Sequence, residues 1–391
     1  MNEKSSPPDV DADQILHIKH SHLAVTNQSG DVLFPFTPGG MTGARHGGLR
    51  YQLLTLLDGR RTVREAHAAL QDRGCQCGLD ELLGAAQELL DEKLLERGDG
   101  RREPDKQDRF DRQRLFMGSF AKDGKRFSAE IEEKLAAARV AVIGVGGIGS
   151  HVLLSLLAMG VGNLLIVDGD KVALSNLNRQ IFYSEQDVGK YKIEVLKQKC
   201  PSHNSAVRCS FLHKVVESPQ DFIAFGKDCD LIVMTADSPR DHIFSWSHIA
   251  ANATGTPVLY TQGMILDSIA VGPLYLPGQT ACFHCFYPHS NFSCAPPEFR
   301  HVNQAYRHGS FMPHIAVAGQ LMALEAVKHC TGFHPCRLYN HVVSINLDDY
   351  ALARTAKPST ECRWCGPGST QPIDAIEQES NPNALSKKIA T

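Results

Sequence analysis

The chain lacks several things that would narrow its class. No apolar run reaches the roughly 18 residues needed to cross a bilayer, and no apolar h-region follows the N-terminal residues, so the expectation is a cytoplasmic protein away from membranes. Charge of one sign is also missing. With 40 Lys and Arg against 43 Asp and Glu the formal net charge is −3, which offers nucleic acid or an anionic surface no field to bind. There is no internal repeat, which excludes solenoids and propellers. The 18 histidines form no HExxH-like spacing. His17, His20 and His22 are expected on one early strand segment. Nor do the 12 cysteines read as a disulfide framework, because four of them form two CxxC pairs. In a cytosolic chain that arrangement points to metal. At 391 residues the chain exceeds one average domain, so two are expected.

What is present is most concentrated between residues 139 and 192. An apolar strand at 139–143 runs into Gly144-Val145-Gly146-Gly147-Ile148-Gly149-Ser150 and then an apolar helix. A glycine-rich turn between strand and helix lets phosphate approach backbone amides at a helix N-terminus, where a Cβ would block the approach or forbid the turn. Gly144, Gly146, Gly147 and Gly149 are therefore candidate nucleotide-binding positions. Asp168 closes a second apolar strand about 20 residues on, where a carboxylate accepts ribose hydroxyls. Many NAD and FAD proteins share that much. They do not need Ser175-Asn176-Leu177-Asn178-Arg179-Gln180 straight afterwards, nor Lys192 beyond it. Arg offers phosphate a planar fork and Lys a compact charge. Asp237 follows the apolar strand 231–234, at the end that lines the crevice of an open parallel sheet, where a carboxylate suits Mg²⁺. Any of these alone could be a solvated surface charge; the ordered set argues for phosphate chemistry on ATP.

The organisation supports this. Residues 1–14 are polar and expected to be disordered; 15–98 read as a hairpin around 27–31 and three short helices, a small winged-helix-like α+β domain. The spacing gives helices at 49–57, 62 onward with a Thr62–Glu65 capping box, and 79–90, then a short strand at 93–96. Residues 99–137 form a charged linker and a helix. From 139 onward strands and helices alternate: strands at 139–144, 164–168, 230–236 and 257–260, helices at 149–159, 189–199 and 240–253. This predicts an α/β fold, a doubly wound Rossmann-like, mostly parallel sheet over 138–370. Later strands at 266–276 and 337–349 add an antiparallel part, and a helix covers 319–329. Residues 371–391 read as a flexible tail.

Cys282-Phe283-His284-Cys285 and Cys362-Arg363-Trp364-Cys365 supply four thiolates, the tetrahedral set of a closed structural zinc site tying distant segments together. His284 reads as a bystander. Cys75, Cys77, Cys200, Cys209, Cys229, Cys330 and Cys336 have no partner pattern.

Residues 108 to about 366 resemble the adenylating domain shared by ubiquitin-activating enzymes, the sulfur-carrier activators MoeB and ThiF, and the peptide-modifying branch with microcin- and pantocin-type enzymes. The resemblance rests on Arg109-Phe110-Asp111-Arg112-Gln113, GVGGIGS, residues 165–170, SNLNRQ, residues 188–192, Thr235-Ala236-Asp237 and both CxxC pairs. It implies that Asp168 and Asp170 flank the ribose and metal side, that Asn176, Arg179 and Lys192 hold the triphosphate, and that Asp237 holds Mg²⁺. It further implies that Arg112 is an arginine finger reaching into a partner's site, hence a homodimer. Relatives that form a thioester use a cysteine in the crossover region. Cys294 lies there, but that position falls near Ala305 when counted back from Pro313, so Cys294 reads as an ordinary thiol.

Residues 53–63, with Glu88-Leu89-Leu90 and Leu94-Leu95, resemble the PqqD-like elements that bind a leader peptide as an added β-strand. A dimerisation module is the plainer alternative. Alternating charges without a basic stripe argue against DNA. The resulting expectation is an ATP-, Mg²⁺- and zinc-dependent homodimer that adenylates a carboxylate of a ribosomally made precursor peptide. A nucleophile of the peptide then attacks, by a microcin-like amide route or a pantocin-like condensation of glutamates. The departure between Cys285 and Pro313 favours the second. The alternatives are activation of a ubiquitin-like sulfur carrier, which predicts loss of activity in Cys294→Ala; a non-catalytic scaffold, which predicts tolerance of Arg179→Ala; and an NAD oxidoreductase, which explains neither SNLNRQ nor Asp237.

Overall fold

The computed structural model describes residues 10–37, 40–98, 107–239, 242–265, 267–287, 309–346, 352–357, 362 and 364–366. Contacts divide the chain into two units, Met1–Glu133 and Lys134–Thr391.

The first unit contains β1 (Ile15–Ile18), β2 (Val25–Thr26), β3 (Val32–Phe34), β4 (Thr42–Ala44), α1 (Leu49–Leu56), β5 (Asp58–Thr62), α2 (Val63–Asp72), α3 (Leu79–Asp91), β6 (Leu95–Arg97) and α4 (Asp111–Gly118). The boundary falls inside α5 (Gly124–Ala137). Helical spacing of apolar residues on α1, α2 and α3 buries Leu53, Val63, Leu70, Leu82 and Leu89 against Leu16 and Phe34. The capping box at the start of α2 forms as expected. Thr62 Oγ1 accepts from Glu65 N at 3.1 Å, and Thr62 N donates to Glu65 Oε2 at 2.8 Å. Such a cap contributes about 1 kcal/mol.

Three local expectations need correcting. The stretch after α1 does not simply end a helix: Asp58–Thr62 pairs antiparallel with β1 at the edge of a sheet ordered β5-β1-β6. The 27–31 hairpin is real but belongs to a separate sheet, β2-β3-β4. His17 lies on β1, whereas His20 and His22 follow it in a turn closed by His22 N donating to Lys19 O at 3.0 Å. Residues 107–133 pack within this unit, as the ion pair of Lys122 with Asp91 and the Lys125 N to Glu96 Oε1 bond of 2.6 Å illustrate.

The second unit is an α/β domain with an eight-stranded sheet among the described residues, ordered β14-β13-β12-β11-β10-β7-β8-β9. Its elements are β7 (Arg139–Ile143), α6 (Gly147–Met159), β8 (Asn163–Asp168), α7 (Lys192–His203), β9 (Arg208–His213), α8 (Pro219–Gly226), β10 (Leu231–Met234), α9 (Ile243–Thr254), β11 (Val258–Ile265), β12 (Ser268–Tyr275), α10 (Phe283–Phe286), α11 (Met312–Thr331), β13 (His341–Asn346) and β14 (Leu352–Thr355). Strands β9, β8, β7, β10 and β11 run parallel, and β12 to β14 are antiparallel. Val140 to Ile143 and Leu231 to Met234 are buried throughout, as parallel strands covered on both faces require. The chain leaves β7 towards β8 on one side, and β10 lies on the other. That reversal of strand order opens a crevice at the C-terminal ends of β7 and β10.

Candidate nucleotide and metal sites

The crevice is built from backbone. Gly144 has φ +88°, and a Cβ there would stand 2.7 Å from Ala236 N. Gly149 is needed for space: its Cβ would lie 2.0 Å from Gly144 O and 2.6 Å from Thr235 Oγ1. The Thr235 hydroxyl donates to Gly144 O at 2.6 Å and so sews the end of β10 to the turn. Gly146 is the N-cap of α6, and no side chain caps the helix at this end, where helix amides lack intrahelical acceptors.

Asp168, at the end of β8, is buried and bidentate. Its Oδ2 accepts from Val145 N and its Oδ1 from Asp170 N, each at 2.8 Å. The carboxylate therefore fixes both the glycine turn and the backbone beyond its own strand. Lys192, at the first position of α7, is only 4% exposed and lies 3.5 Å from Asp168 Oδ2 and 2.7 Å from Asp170 Oδ2. A buried ammonium held by two carboxylates is a positioned charge, not a surface one. Arg179 reaches the same place: its Cδ lies 3.5 Å from where a Cβ on Gly147 would stand. Its Nη1 is held by Ser175 O and Asn178 Oδ1, each at 2.8 Å. Asn176 turns its Oδ1 to Ala173 N at 3.0 Å, shaping the loop that presents Arg179. Asp237 is exposed two residues beyond Thr235, with Ser238 Oγ 3.4 Å from its Oδ1. The structure thus brings the glycine turn, Asp168, Asp170, Arg179 and Lys192 together and sets Asp237 at the neighbouring strand end. Arg112 is exposed on α4 in the other unit. Cys294 and Ala305 lie outside the described residues.

Sequence reading missed two supports. Tyr183 donates to Val145 O at 3.2 Å, and burial, with the nearby Asp168 carboxylate, pushes its phenol up, which keeps it a donor. Asp187 joins Ser184, Lys190 and Lys199 in one network just before α7. Both sit in loops without periodicity, so no pattern announced them.

The four cysteine Sγ atoms of Cys282, Cys285, Cys362 and Cys365 lie within 4.8 Å of one another. Three separations are 3.7 Å (Cys282–Cys285), 3.9 Å (Cys282–Cys362) and 3.4 Å (Cys285–Cys365). A tetrahedron with Zn–S bonds of about 2.3 Å has edges of about 3.8 Å. The donor set fits as well: hydrogen bonding with Cys285 and Cys365, then burial, holds the Cys282 thiol protonated, and a dication would reverse that. His284 is outside the four-residue group and stacks on Trp364 at 4.5 Å, the bystander expected. Trp364 O meets His248 Nε2 of α9 at 2.9 Å, so the cluster is anchored to the sheet's helical layer.

Fold and crevice together define a Rossmann-like α/β domain carrying a four-cysteine cluster. The pattern of the ThiF family matches residues 111–364, and the chain belongs to that family. Among curated proteins it is 29% identical over 315 residues to the adenylyltransferase and sulfurtransferase UBA4 of Candida glabrata, covering 76% of this chain and 66% of that protein. It is 30% identical over 247 residues to the sulfur carrier protein adenylyltransferase of Thermus thermophilus, covering 62% and 87%. The chain spans two thirds or less of the first of these relatives, 66% of UBA4 and 42% of the Zea mays MOCS3-1 protein. Among solved structures, E. coli MccB with ATP aligns with a TM-score of 0.72 at 22% identity, covering 90% of this chain and 99% of that one. PaaA aligns with 0.65 at 23% identity, covering 87% and 99%. These two share the fold. Among the described residues no helix is long and apolar enough to cross a membrane.

Proposed function

We propose that the chain adenylates a carboxylate of a ribosomally made precursor peptide. A carboxylate oxygen attacks the α-phosphorus of ATP. The new O–P bond forms as the bond to the bridging oxygen breaks, and pyrophosphate leaves with the electron pair. The protein's share is placement and charge. The first-turn amides of α6, with Arg179 and Lys192, would hold the phosphates, and Asp168 the ribose. Asp237, with Asp170, would hold Mg²⁺, which neutralises charge on the phosphates when bound. Arg112 would complete the site of a second copy in a homodimer. The four cysteines would hold structural zinc, away from the chemistry. The observation that carries the reading is the buried Lys192 between Asp168 and Asp170 at the glycine turn.

The peptide substrate is supported by the N-terminal unit that precedes the ThiF-like region, and by the likeness over nearly the whole of MccB, whose structures include complexes with MccA. A nucleophile of the peptide would then attack the acyl-adenylate, with condensation of glutamate side chains preferred over a microcin-like route. If both glutamates of the peptide can be replaced without changing the product mass, that preference fails. The curated relatives favour a second reading, activation of a ubiquitin-like sulfur carrier. ATP–pyrophosphate exchange separates the two. Exchange with the peptide encoded beside the gene, lost without its leader, is the expected result. Exchange only with a Gly-Gly-tailed carrier would overturn it and make Cys294→Ala the next variant.

A further inference from the structure

Two free cysteines outside the four-cysteine cluster meet where α7 lies against the edge of the large sheet. Cys200, in the last turn of α7, is fully buried. Cys209, the second residue of β9, is half-buried and stands opposite Leu164 of β8. Among the described residues β9 is the outermost strand on that side, so a small solute reaches Cys209 without crossing the sheet. The connection between them is held at both ends. Asn204 N donates to Cys200 O at 3.2 Å, and Arg208 N to Gly162 O at 2.9 Å. Asn204 is itself buried, its Nδ2 donating to Leu157 O of α6 at 2.8 Å. Fixed backbone therefore brings the two cysteines together.

The two thiols are hydrogen-bonded, and the bond is asymmetric. The bond from Cys200 holds the Cys209 thiol below its ordinary range, although burial opposes it. The same bond, and then burial, pushes Cys200 up, so Cys200 keeps its proton. Cys229 shows what burial does without such a neighbour. It is half-buried as well, but burial, with Asp230 and Asp228 nearby, pushes its thiol up to about 11. A partly accessible thiolate beside a buried thiol is the arrangement of an attacking sulfur and a resolving one. Cys200 also lies near Tyr183, the phenol bonded to Val145 O in the glycine turn.

We propose that Cys200 and Cys209 are a redox modification site: a hydroperoxide oxidises them to a reversible disulfide that ties the end of α7 to the edge strand β9. The Cys209 thiolate attacks one peroxide oxygen. An S–O bond forms as the O–O bond breaks, and the other oxygen leaves with the electron pair and takes a proton. The Cys200 sulfur then attacks the Cys209 sulfenic acid. The S–S bond forms as the S–O bond breaks, and hydroxide leaves with the electron pair and takes the Cys200 proton as water. With hydrogen peroxide the sum is two thiols oxidised by two electrons and one peroxide reduced to two waters. A dithiol reverses it by exchange. The site uses neither the nucleotide nor the peptide, so its failure leaves the adenylation reading where it stands.

The test is peptide mapping by mass spectrometry on the native full chain. Lys199, Arg208 and Lys214 let trypsin release residues 200–208 and 209–214 separately, so a disulfide is read as these two peptides joined. After treatment with hydrogen peroxide the joined pair is expected, and dithiothreitol should return both peptides free. In the reduced native chain, iodoacetamide at pH 7 should alkylate Cys209 at least about tenfold faster than Cys229, because it meets a larger thiolate fraction. Cys200→Ser should leave Cys209 as a sulfenic acid that dimedone traps, with no joined peptides. If that variant does not fold, the map of the unaltered chain decides the matter by itself. Cys209 linked to another cysteine, oxidised to sulfinic acid while Cys200 stays free, or alkylated no faster than Cys229 would overturn the proposal.

Discussion

At the scale of single residues, the glycines of this chain separate two effects that are usually confounded. Gly149 and Gly189 are both glycines next to the proposed phosphate site, yet they are required for different reasons. A Cβ on Gly149 meets backbone, Gly144 O at 2.0 Å, and backbone at that turn cannot move without dragging β7 and the end of β10. A Cβ on Gly189 meets nothing within 4 Å, but φ is +88°. Gly149→Ala is therefore expected to cost about 2–4 kcal/mol, the range of an unrelieved clash, and to abolish nucleotide-induced stabilisation. Gly189→Ala should cost only about 1 kcal/mol of backbone strain and keep that stabilisation. Denaturant unfolding with and without ATP reads both; equal losses would mean that the turn relaxes and that the steric account is wrong. The same logic explains what could be read in advance. That Gly144 to Gly149, Asp168, Arg179 and Lys192 gather at one strand end was legible because the phosphate chemistry proposed for them demands particular residue types at a fixed order. Tyr183 and Thr235 were harder, because a hydroxyl bonded to a carbonyl can come from almost any loop.

At the scale of elements, the segment that delivers Lys192 is held by Asp187. This carboxylate is resisted by burial, but hydrogen bonds from Lys199 and Ser184 outweigh that and hold it well below the usual carboxylate range. Lys199 of α7 lies 2.6 Å from it, so the loop is stapled to the helix whose first residue is Lys192. A carboxyl depressed on folding contributes stability that is complete above its unfolded value, near 4, and is lost as pH falls below that towards the folded value. Asp187→Asn should lower Tm at pH 7, and the gap between variant and wild type should shrink between pH 5 and pH 3. A gap that stays constant over that range would show the pairing to be immaterial. Elements themselves were read unevenly. The buried parallel strands β7, β8 and β10 and the helices α1 to α3 were found to within a few residues, since long apolar runs and helical spacing are strong signals. β5 was missed because Asp58-Gly59-Arg60-Arg61-Thr62 buries only Gly59 and takes its place from a partner strand some 40 residues earlier. β9 was missed for a similar reason: it is an edge strand with no fully buried residue. The start of α7 was expected three residues early because Gly189, Lys190 and Tyr191 carry no stop signal; the positive φ of Gly189, the Val172 N to Lys190 O bond and the bridge of extended Tyr191 to Lys171 keep them out of the helix.

At the scale of the whole molecule, the four-cysteine cluster joins positions separated by 80 residues, between the sheet's antiparallel part and the chain's later segments. Closing a loop of that length removes about 4–5 kcal/mol of entropy from the unfolded chain, and a metal would add its own binding free energy to folding. The cluster stands on α9 and α10, through His248 with Trp364 and Phe244 stacked on Phe283 at 4.2 Å, whereas the nucleotide crevice is held by Asp168, Thr235 and Tyr183. None of the latter bonds involves a cysteine. The two sites should therefore come apart experimentally. Elemental analysis is expected to give one zinc per chain. Cys362→Ser, nearly isosteric, should lose it and lower Tm by roughly 10 °C, while ATP still stabilises what remains folded by a similar increment. If Cys362→Ser keeps its Tm and no metal is found, the four thiols are merely neighbours. If metal loss instead removes ATP stabilisation, the cluster reaches the crevice through α9, and the zinc would have to be regarded as part of the working site.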